Sequence, residues 1–391
     1  MKNSIQLIIF FGFLVRSLVA FYNGFYDFSF GQTADPGSIH GFGVMFSQDI
    51  SIAHCEVRIR YAISCWLGLI YFLTTDSLFI GSMLSVFAWL GSALIFAKTM
   101  RFFPIEKSIQ RKATLVYVLF PSSIIFTSVT LTESYQLLLV NLIVYAFFKI
   151  YYHKSYMYWL MIIFASILGA FLHSTIVVFG GFVTILGLFM LAGRSYKGFQ
   201  QVKLLFVIPL IVLISVLVIE NVSETIEKTG GQGLDEKAGI AQSIQRHQTG
   251  GIITNVMYGS GTLYRFEISL KDDYDLMLFV PTALFQYLFE PMPWKLVRPG
   301  MAYLLDLELF LENLLRGFLI WLALKRFCKS SSQIRGAGFF VILCYFFIET
   351  VWAIGTMNWG TAARHHTPSL GILILAAFMC LQPKTNKAHT L

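Results

Sequence analysis

The sequence predicts an all-α membrane protein with about ten transmembrane helices and further short helices at the membrane surface. Hydrophobic residues occupy 56% of its 391 positions, and charged residues occupy only 13%. The mean hydropathy of +0.68 exceeds that expected of a soluble protein. Several apolar runs approach the ~20 residues that a helix needs to span a bilayer. We therefore expect a single membrane domain over residues 1–391.

The net charge and the cysteines exclude further classes of protein. The net charge is +8, but the lysines and arginines are scattered over short connections between apolar runs. That distribution is typical of the positive-inside rule and not of a nucleic-acid-binding patch. The five cysteines form no CxxC pair, and Cys55 has no evident partner. We expect neither a zinc site nor a disulfide framework.

Basic clusters predict the orientation of the chain. The first apolar run, which Arg16 interrupts, is interpreted as a retained span and not as a cleaved signal peptide. Short loops rich in lysine and arginine remain cytoplasmic. Both termini are therefore expected in the cytoplasm, together with the basic connections at 98–112, 149–154, 194–203, 325–335 and 384–387.

Two apolar segments do not fit as spans. Residues 61–73 are too few to cross, so they predict a juxtamembrane helix after a first outer loop at 22–60. Residues 277–294 contain three prolines and predict a re-entrant segment within a large outer loop at 221–305. The remaining runs give the predicted spans, at 5–21, 77–98, 113–131, 134–151, 156–173, 175–192, 203–220, 306–324, 336–357 and 368–382.

The stretch QTADPGSIHGF, residues 32–42, places an acid and a histidine in the first outer loop. Asp35 could act there as a general base toward an acceptor hydroxyl, or could hold a divalent cation. His40 could do the same, or could bind a phosphate as an imidazolium. The plain alternative is that both side chains only solvate a loop. Asp27 and Asp49 compete for the same role.

Glu133 follows the run FPSSIIFTSVTLT, at the tip of a predicted hairpin on the outer face. One interpretation is a helix-start residue that the helix dipole favours. The other makes Glu133 a second carboxylate that faces Asp35. Two such acids would suit metal binding, or a base together with the group that orients it.

The remaining charged candidates are mostly arginines. Arg364, in the stretch NWGTAARHHTPS, suits bidentate contact with a phosphate or pyrophosphate, and His365 beside it adds to that interpretation. An arginine that snorkels to lipid head groups is the alternative. Arg16 is an intramembrane arginine, for which we expect a site role or an ion pair with an outer-loop acid. Glu312 and Arg316 predict a structural pair on one helix face.

The outer region from 221 to 275 is rich in glycine and in charge. Its glycines lack the spacing of a phosphate-binding loop, so a mobile loop that closes over a substrate is the better interpretation. Arg246, His247 and Arg265 are its candidate phosphate or sugar contacts. Trp294, in FEPMPW, could stack on a sugar ring or anchor the chain at the membrane interface.

These motifs together resemble those of the GT-C superfamily of membrane glycosyltransferases, which take sugars from polyprenyl-phosphate carriers. The resemblance lies in DPGSIH at 35–40, in FPSSIIFTSVTLTES at 120–134 and in the arginine at the end of the first span. PMPW and NWGTAARHH resemble C-terminal motifs of polysaccharide-cluster relatives. The chain departs from the pattern at Pro36, where the motif has alanine, and at Thr132, where arginine is frequent.

The resemblance implies a transferase with a polyprenyl-linked sugar donor and a glycan or lipid-linked acceptor. Asp35 would be its catalytic acid or base, Glu133 the second acid, and Arg364 the ligand of the carrier phosphate. The enzyme would work at the periplasmic face of the bacterial inner membrane, with Mg²⁺ or Mn²⁺ as a candidate cofactor held by the two acids. A polymerase of O-antigen or capsule repeat units fits the same features. A transporter or flippase of lipid-linked sugars is the alternative from another class.

Overall fold

The computed structural model describes residues 3–26, 34–50, 62–195, 240–257, 262–264, 269–270, 273–328 and 332–381. Within these ranges the chain is almost entirely helical, with one isolated β-bridge between Leu263 and Asn358. The helices are α1 (Asn3–Phe25), α2 (Ala34–Gln48), α3 (Ala62–Leu73), α4 (Leu78–Thr99), α5 (Lys107–Leu119), α6 (Pro121–Phe126), α7 (Glu133–His153), α8 (Tyr158–Ala170), α9 (Ser174–Ser195), α10 (Ile240–Met257), α11 (Asp273–Phe289), α12 (Met301–Cys328), α13 (Ser332–Gly355), α14 (Trp359–His365) and α15 (Leu370–Met379).

Five of the described helices, α1, α4, α7, α9 and α13, are long and apolar enough to cross a membrane. Four further apolar helices, α3, α8, α11 and α15, are shorter than a span. Helix α12 has 28 residues, but several of them are charged. The predicted all-α, multi-pass character is therefore supported, whereas the full set of ten spans is not. The predicted span at 203–220 lies outside the described residues.

Prolines occupy positions different from those that the sequence predicted in three places. The predicted span at 113–131 is divided at Pro121, where α5 ends and α6 begins. Proline is favoured at a first helical position because its missing N–H needs no partner there. Pro281, expected to interrupt its segment, lies inside the continuous helix α11. Part of the predicted first outer loop, around Asp35, is helix α2, which holds Pro36 in its first turn. The predicted short helix after the first loop is confirmed as α3.

The expectation that the chain forms no disulfide was wrong. Cys65, on α3, is disulfide-bonded. Cys328, Cys344 and Cys380 are free, and Cys55 lies outside the described residues. Disulfides persist in oxidising compartments and are rare in the cytosol.

Helices α4 and α7 start at the same end of the bundle and run side by side. Near their beginnings, the Ser85 hydroxyl of α4 donates to the carbonyl of Leu131 just before α7, at 3.4 Å. Near their ends, the rings of Phe102 and Tyr152 stack with centroids 6.0 Å apart. We call the end with Leu131 the first end, and the end with Phe102 the second end.

A buried polar cluster connects the central helices. Asn141 of α7 donates to the hydroxyls of Ser92 on α4 (2.8 Å) and Tyr117 on α5 (3.0 Å). The two hydroxyls also bond to each other at 2.8 Å. Gly371 of α15 packs directly on the Asn141 amide, where an added Cβ would overlap Asn141 Oδ1. Small residues and interhelical hydrogen bonds of this kind hold membrane helices together, since lipid provides little hydrophobic driving force between them.

Two adjacent glycines in α9 give a test of helix packing. A Cβ on Gly180 would overlap the Ser166 hydroxyl of α8, whereas a Cβ on Gly181 meets nothing within 4 Å. We expect Gly180→Ala to lower the free energy of unfolding by about 1–3 kcal/mol, because the helices must move apart. Gly181→Ala should leave it unchanged or raise it by about 0.5–1 kcal/mol, since alanine favours the helix. Thermal unfolding of both purified variants in one detergent measures the difference, and equal midpoints would contradict this packing.

Candidate functional site

Four parts of the chain that the sequence analysis singled out meet at the first end. One apolar cluster joins α2, α3, the segment before α7, and α14 through Ile39, Leu67, Tyr71, Phe126, Val129, Leu131 and Ala363. Three members of the cluster, Ile39, Leu131 and Ala363, stand within two residues of a candidate polar residue. Ile39 precedes His40, and Ala363 precedes Arg364. The cluster therefore brings motifs that are more than 300 residues apart in sequence into one site.

The centre of the site is an ion pair between Glu133 and Arg364. Arg364 donates from Nε to Glu133 Oε1 at 2.8 Å, and its Nη2 lies 2.7 Å from the same oxygen. The pair is largely shielded, with side-chain exposures of 11% for the arginine and 2% for the glutamate. Glu133 Oε2 is buried and has no hydrogen-bond partner among the described residues. A buried carboxylate oxygen without a partner is costly unless a ligand or water satisfies it.

This pairing changes the role predicted for Arg364. Two of its nitrogens bind Glu133 and hold that carboxylate in one orientation. Glu133 also begins α7, as the helix-start interpretation required. The guanidinium charge of Arg364 is therefore paired with the Glu133 carboxylate.

His40 reaches the same region through Tyr71. The His40 Nδ1 lies 2.8 Å from the Tyr71 hydroxyl. That hydroxyl also lies against Gly81 of α4, where an added Cβ would be 2.8 Å from Tyr71 Oη and 2.7 Å from Thr130 Oγ1. Burial raises the pKa of the Tyr71 hydroxyl above its usual range. The hydroxyl therefore stays protonated and can donate to the His40 ring.

The titration of His40 predicts a pH dependence of stability. Burial lowers the pKa of the His40 imidazole, and the nearby Asp76 carboxylate opposes part of that shift. The unfolded chain therefore takes up this proton first as the pH falls below about 6.5, and the folded state loses stability. We expect the unfolding midpoint to fall less between neutral and mildly acidic pH in His40→Gln than in the natural protein. Identical pH profiles of the two proteins would contradict this assignment.

His365 faces a second histidine that comes from a different hairpin. Its Nδ1 lies 3.1 Å from the Thr356 hydroxyl. Its ring lies 5.6 Å from that of His173, in the turn between α8 and α9, and stacks on Trp352 at 5.7 Å. His365 follows Arg364 in the sequence, but its ring lies in an aromatic cluster with His173 and Trp352. His173 belongs to this cluster as well.

Arg16 lies inside the bundle and does not contact an outer-loop acid within the described residues, so the expected ion pair was wrong. It is 0% exposed and donates to neutral oxygens of Thr127 (2.8 Å), Val118 (2.9 Å) and Ser123 (3.2 Å). Its guanidinium also lies 3.7 Å from the ring centre of Trp89. These contacts occur at the junction of α5 and α6, where carbonyl and hydroxyl oxygens are available to accept hydrogen bonds from Arg16. Arg16 is therefore fully buried at the junction of α5 and α6, with neutral oxygens as its hydrogen-bond acceptors.

Helix α14 is anchored by charged groups that the sequence analysis missed. Asp306 of α12 is 0% exposed and accepts from Trp359 Nε1 at 2.9 Å and from Arg298 Nε at 2.6 Å. Lys295 bonds to the Tyr264 carbonyl at 3.0 Å and to the Glu290 carboxylate at 2.5 Å. These contacts fix the segment after α11 against α14. No spacing in the sequence relates these partners, so only the fold reveals them.

Two other described candidates lie on elements different from those of the Glu133–Arg364 pair. Trp294 is 73% exposed, which agrees with either a sugar contact or an interfacial anchor. Arg246 is exposed on α10, whose buried face packs on α11 through Ile244 and Phe279. The side chains of Asp35, His247 and Arg265 lie outside the described residues, as does much of the predicted loop at 221–305.

A layer of buried charge lies beneath the site. The predicted pair is confirmed, with Arg316 Nη2 at 2.9 Å from Glu312 Oε1. Glu312 also accepts from the Ser122 backbone N–H and hydroxyl, each at 2.7 Å. A second pair was missed, since His366 Nδ1 lies 2.7 Å from Glu349 Oε2. His366 points into the bundle while His365 does not, because adjacent helical residues face different ways.

The described residues contain no cluster of three or more histidine, cysteine or acidic side chains arranged to hold a metal. Glu133 Oε2 is one oxygen that a hard cation such as Mg²⁺ or Mn²⁺ would use. Asp35 would have to supply another. Its backbone lies in the first turn of α2, one turn before Ile39 of the shared cluster.

The site thus contains two predicted residues that bind each other, Glu133 and Arg364, with His40 held nearby by Tyr71. Arg16 and the Glu312–Arg316 pair support it from within the bundle. The chain matches no protein-family model, and neither the curated proteins nor the solved structures contain a match to it.

Proposed function

We propose that this chain is a membrane glycosyltransferase that moves a sugar or oligosaccharide from a polyprenyl phosphate or diphosphate carrier to an envelope glycan acceptor. The observation that carries the proposal is the buried Glu133–Arg364 pair, in which Glu133 Oε2 has no described partner. A fixed carboxylate with one open oxygen, at a site shared by four chain segments, suits proton abstraction from a hydroxyl.

In the proposed reaction, the candidate residues have separate roles. The acceptor hydroxyl oxygen forms the new bond to the anomeric carbon, while the bond from that carbon to the phosphate oxygen breaks. Glu133 Oε2 accepts the hydroxyl proton or orients the hydroxyl for Asp35, the other candidate base. Arg364 holds Glu133 and, with His365 beside it, contributes positive charge toward the departing phosphate. Mg²⁺ or Mn²⁺, if bound by the two acids, would add positive charge there.

Two features support the predicted orientation, with the site on the periplasmic side of a bacterial inner membrane. The disulfide at Cys65 suits an oxidising compartment, and α3 contributes Tyr71 to the site. Lysine and arginine concentrate at the second end, as in cytoplasmic loops. Gly24, near the end of α1, packs on Phe79 at the first end, so α1 begins at the second end. Together with these two features, the direction of α1 favours a cytoplasmic N-terminus.

The experiment is a surface-polysaccharide profile, by gel and mass, of cells that lack the gene and of cells complemented with it. A ladder of normal spacing that lacks one sugar per unit supports a single-sugar transferase. A ladder reduced to one repeat unit supports the polymerase alternative. An unchanged profile counts against both.

Transport of lipid-linked sugars is the second candidate function, because ionisable groups such as Arg316 and Glu349 are fully buried between the helices. Proteoliposomes that contain the purified protein and a lipid-linked sugar separate the two functions. A transferase releases the carrier phosphate when acceptor is added. A transporter exposes the intact donor at the opposite leaflet and releases no phosphate.

A further inference from the structure

The second end of the bundle carries an unpaired basic surface, which we call the basic platform. It consists of seven lysine and arginine residues from two connections, Lys98, Arg101, Lys107, Arg111, Lys112, Lys149 and Lys154. All are exposed except Lys149, which is partly buried. None of them forms an ion pair with an acid within the described parts of the chain. The single acid in these connections, Glu106, accepts a hydrogen bond from Ser108.

Aromatic packing joins the two connections into one surface. Phe102, after α4, contacts Tyr145 at 5.6 Å and His153 at 5.6 Å, both near the end of α7. The Lys149 ammonium lies 5.9 Å from the ring centres of Phe102, Tyr145 and Tyr158. These cation–π contacts fix one positive charge at the centre of the surface. The charges on either side therefore belong to a single platform and not to two separate loops.

The platform borders a surface that suits lipid chains. Tyr156, Met157 and Leu160, in the turn before α8 and its first turn, are 64%, 79% and 66% exposed. Large exposed apolar side chains directly beside an aromatic belt and unpaired bases are typical of the level where lipid head groups meet hydrocarbon. A soluble polyanion or an acidic protein would gain nothing from these apolar neighbours.

We propose that the basic platform binds the head group of an anionic phospholipid, whose acyl chains lie along the exposed face of α8. The helix α4 has 22 residues and is about 33 Å long, so the platform lies roughly one bilayer away from the first end and its disulfide-bonded Cys65. Anionic lipids are enriched in the cytoplasmic leaflet. The platform lies at the end of the bundle opposite the disulfide, so this is the leaflet that it would contact. This site does not depend on the reaction at the first end.

The test measures the unfolding midpoint of the purified full chain in detergent as short-chain phosphatidylglycerol or phosphatidylcholine is added. We expect phosphatidylglycerol alone to raise the midpoint in a saturable way, and about 0.5 M salt to weaken the effect by screening. In Lys107→Gln/Arg111→Gln, the phosphatidylglycerol concentration that gives half of the midpoint shift should rise roughly tenfold or more. Each lysine or arginine beside an anionic head group adds to the binding free energy, and this variant removes two of them. Both residues are exposed, so the fold is retained.

The matched control is Lys325→Gln/Arg326→Gln, which removes the same charge from the end of α12. It should keep the phosphatidylglycerol response of the natural protein. Equal responses to the two lipids would overturn the proposal without any variant. An unchanged response in the platform variant, or an equal response to soluble glycerol phosphate, would overturn it as well.

Discussion

Glu133→Gln is expected to abolish product formation, with a loss of at least about 100-fold in transfer activity. The amide keeps the shape of the carboxylate but cannot accept a proton, and it leaves Arg364 without its charge partner. Activity is measured as polysaccharide restored in complemented cells, or as carrier phosphate released in proteoliposomes. Glu106→Gln, at the second end of the bundle, is the control and should act like the natural protein.

A second variant separates chemistry from structure in this result. Glu133→Gln alone leaves the charge of Arg364 in a largely shielded position, which destabilises the site. Glu133→Gln/Arg364→Gln removes both charges and allows the two amides to bond to each other. We expect this double variant to regain thermal stability but no activity. Recovered activity would mean that the pair only holds α7 against α14, and Glu133 would then not be catalytic.

Arg316→Met should produce the largest loss of stability. Arg316 is 0% exposed and is the charge partner of Glu312, which is 3% exposed. Removal of the arginine leaves a buried carboxylate with only the Ser122 hydrogen bonds, at a cost of about 3–5 kcal/mol. The unfolding midpoint in detergent should fall accordingly. Arg111→Met, which changes an exposed arginine, should shift it little.

The partner substitution tests the reason for this loss. Glu312→Gln/Arg316→Met leaves no buried net charge, and glutamine can still accept from Ser122. We expect the double variant to recover much of the stability that Arg316→Met loses, because the desolvation penalty of the lone carboxylate disappears. If the double variant were as unstable as the single one, shape and packing would matter at this position, and charge would not.

Local pairs could be predicted from the sequence, and distant ones could not. Glu312 and Arg316 are one helical turn apart, so their contact follows from helix geometry. Glu133 and Arg364 were each singled out, but their pairing joins residues separated by 231 positions. That contact depends on how α14 packs against the start of α7, and no periodicity in the sequence encodes it.

The errors have physical causes as well. Arg16 was expected to form an ion pair with an acid, but its guanidinium donates hydrogen bonds to neutral oxygens near the junction of α5 and α6. That junction was itself not foreseen, because Pro121 inside an apolar run reads equally well as a kink or as a new start. The contact between Glu349 and His366, deep in the bundle, was also missed. Buried polar partners of this kind appear only when the helices are placed in three dimensions.

Helix α15 occupies a special position, because nearly all of its ten residues are buried. It contacts α12 and α13 on one side and α5 and α7 on the other. Solvent can reach its amides only when those neighbours separate, which amounts to unfolding the bundle. In hydrogen exchange its amides should therefore be among the slowest, and exchange there reports global unfolding.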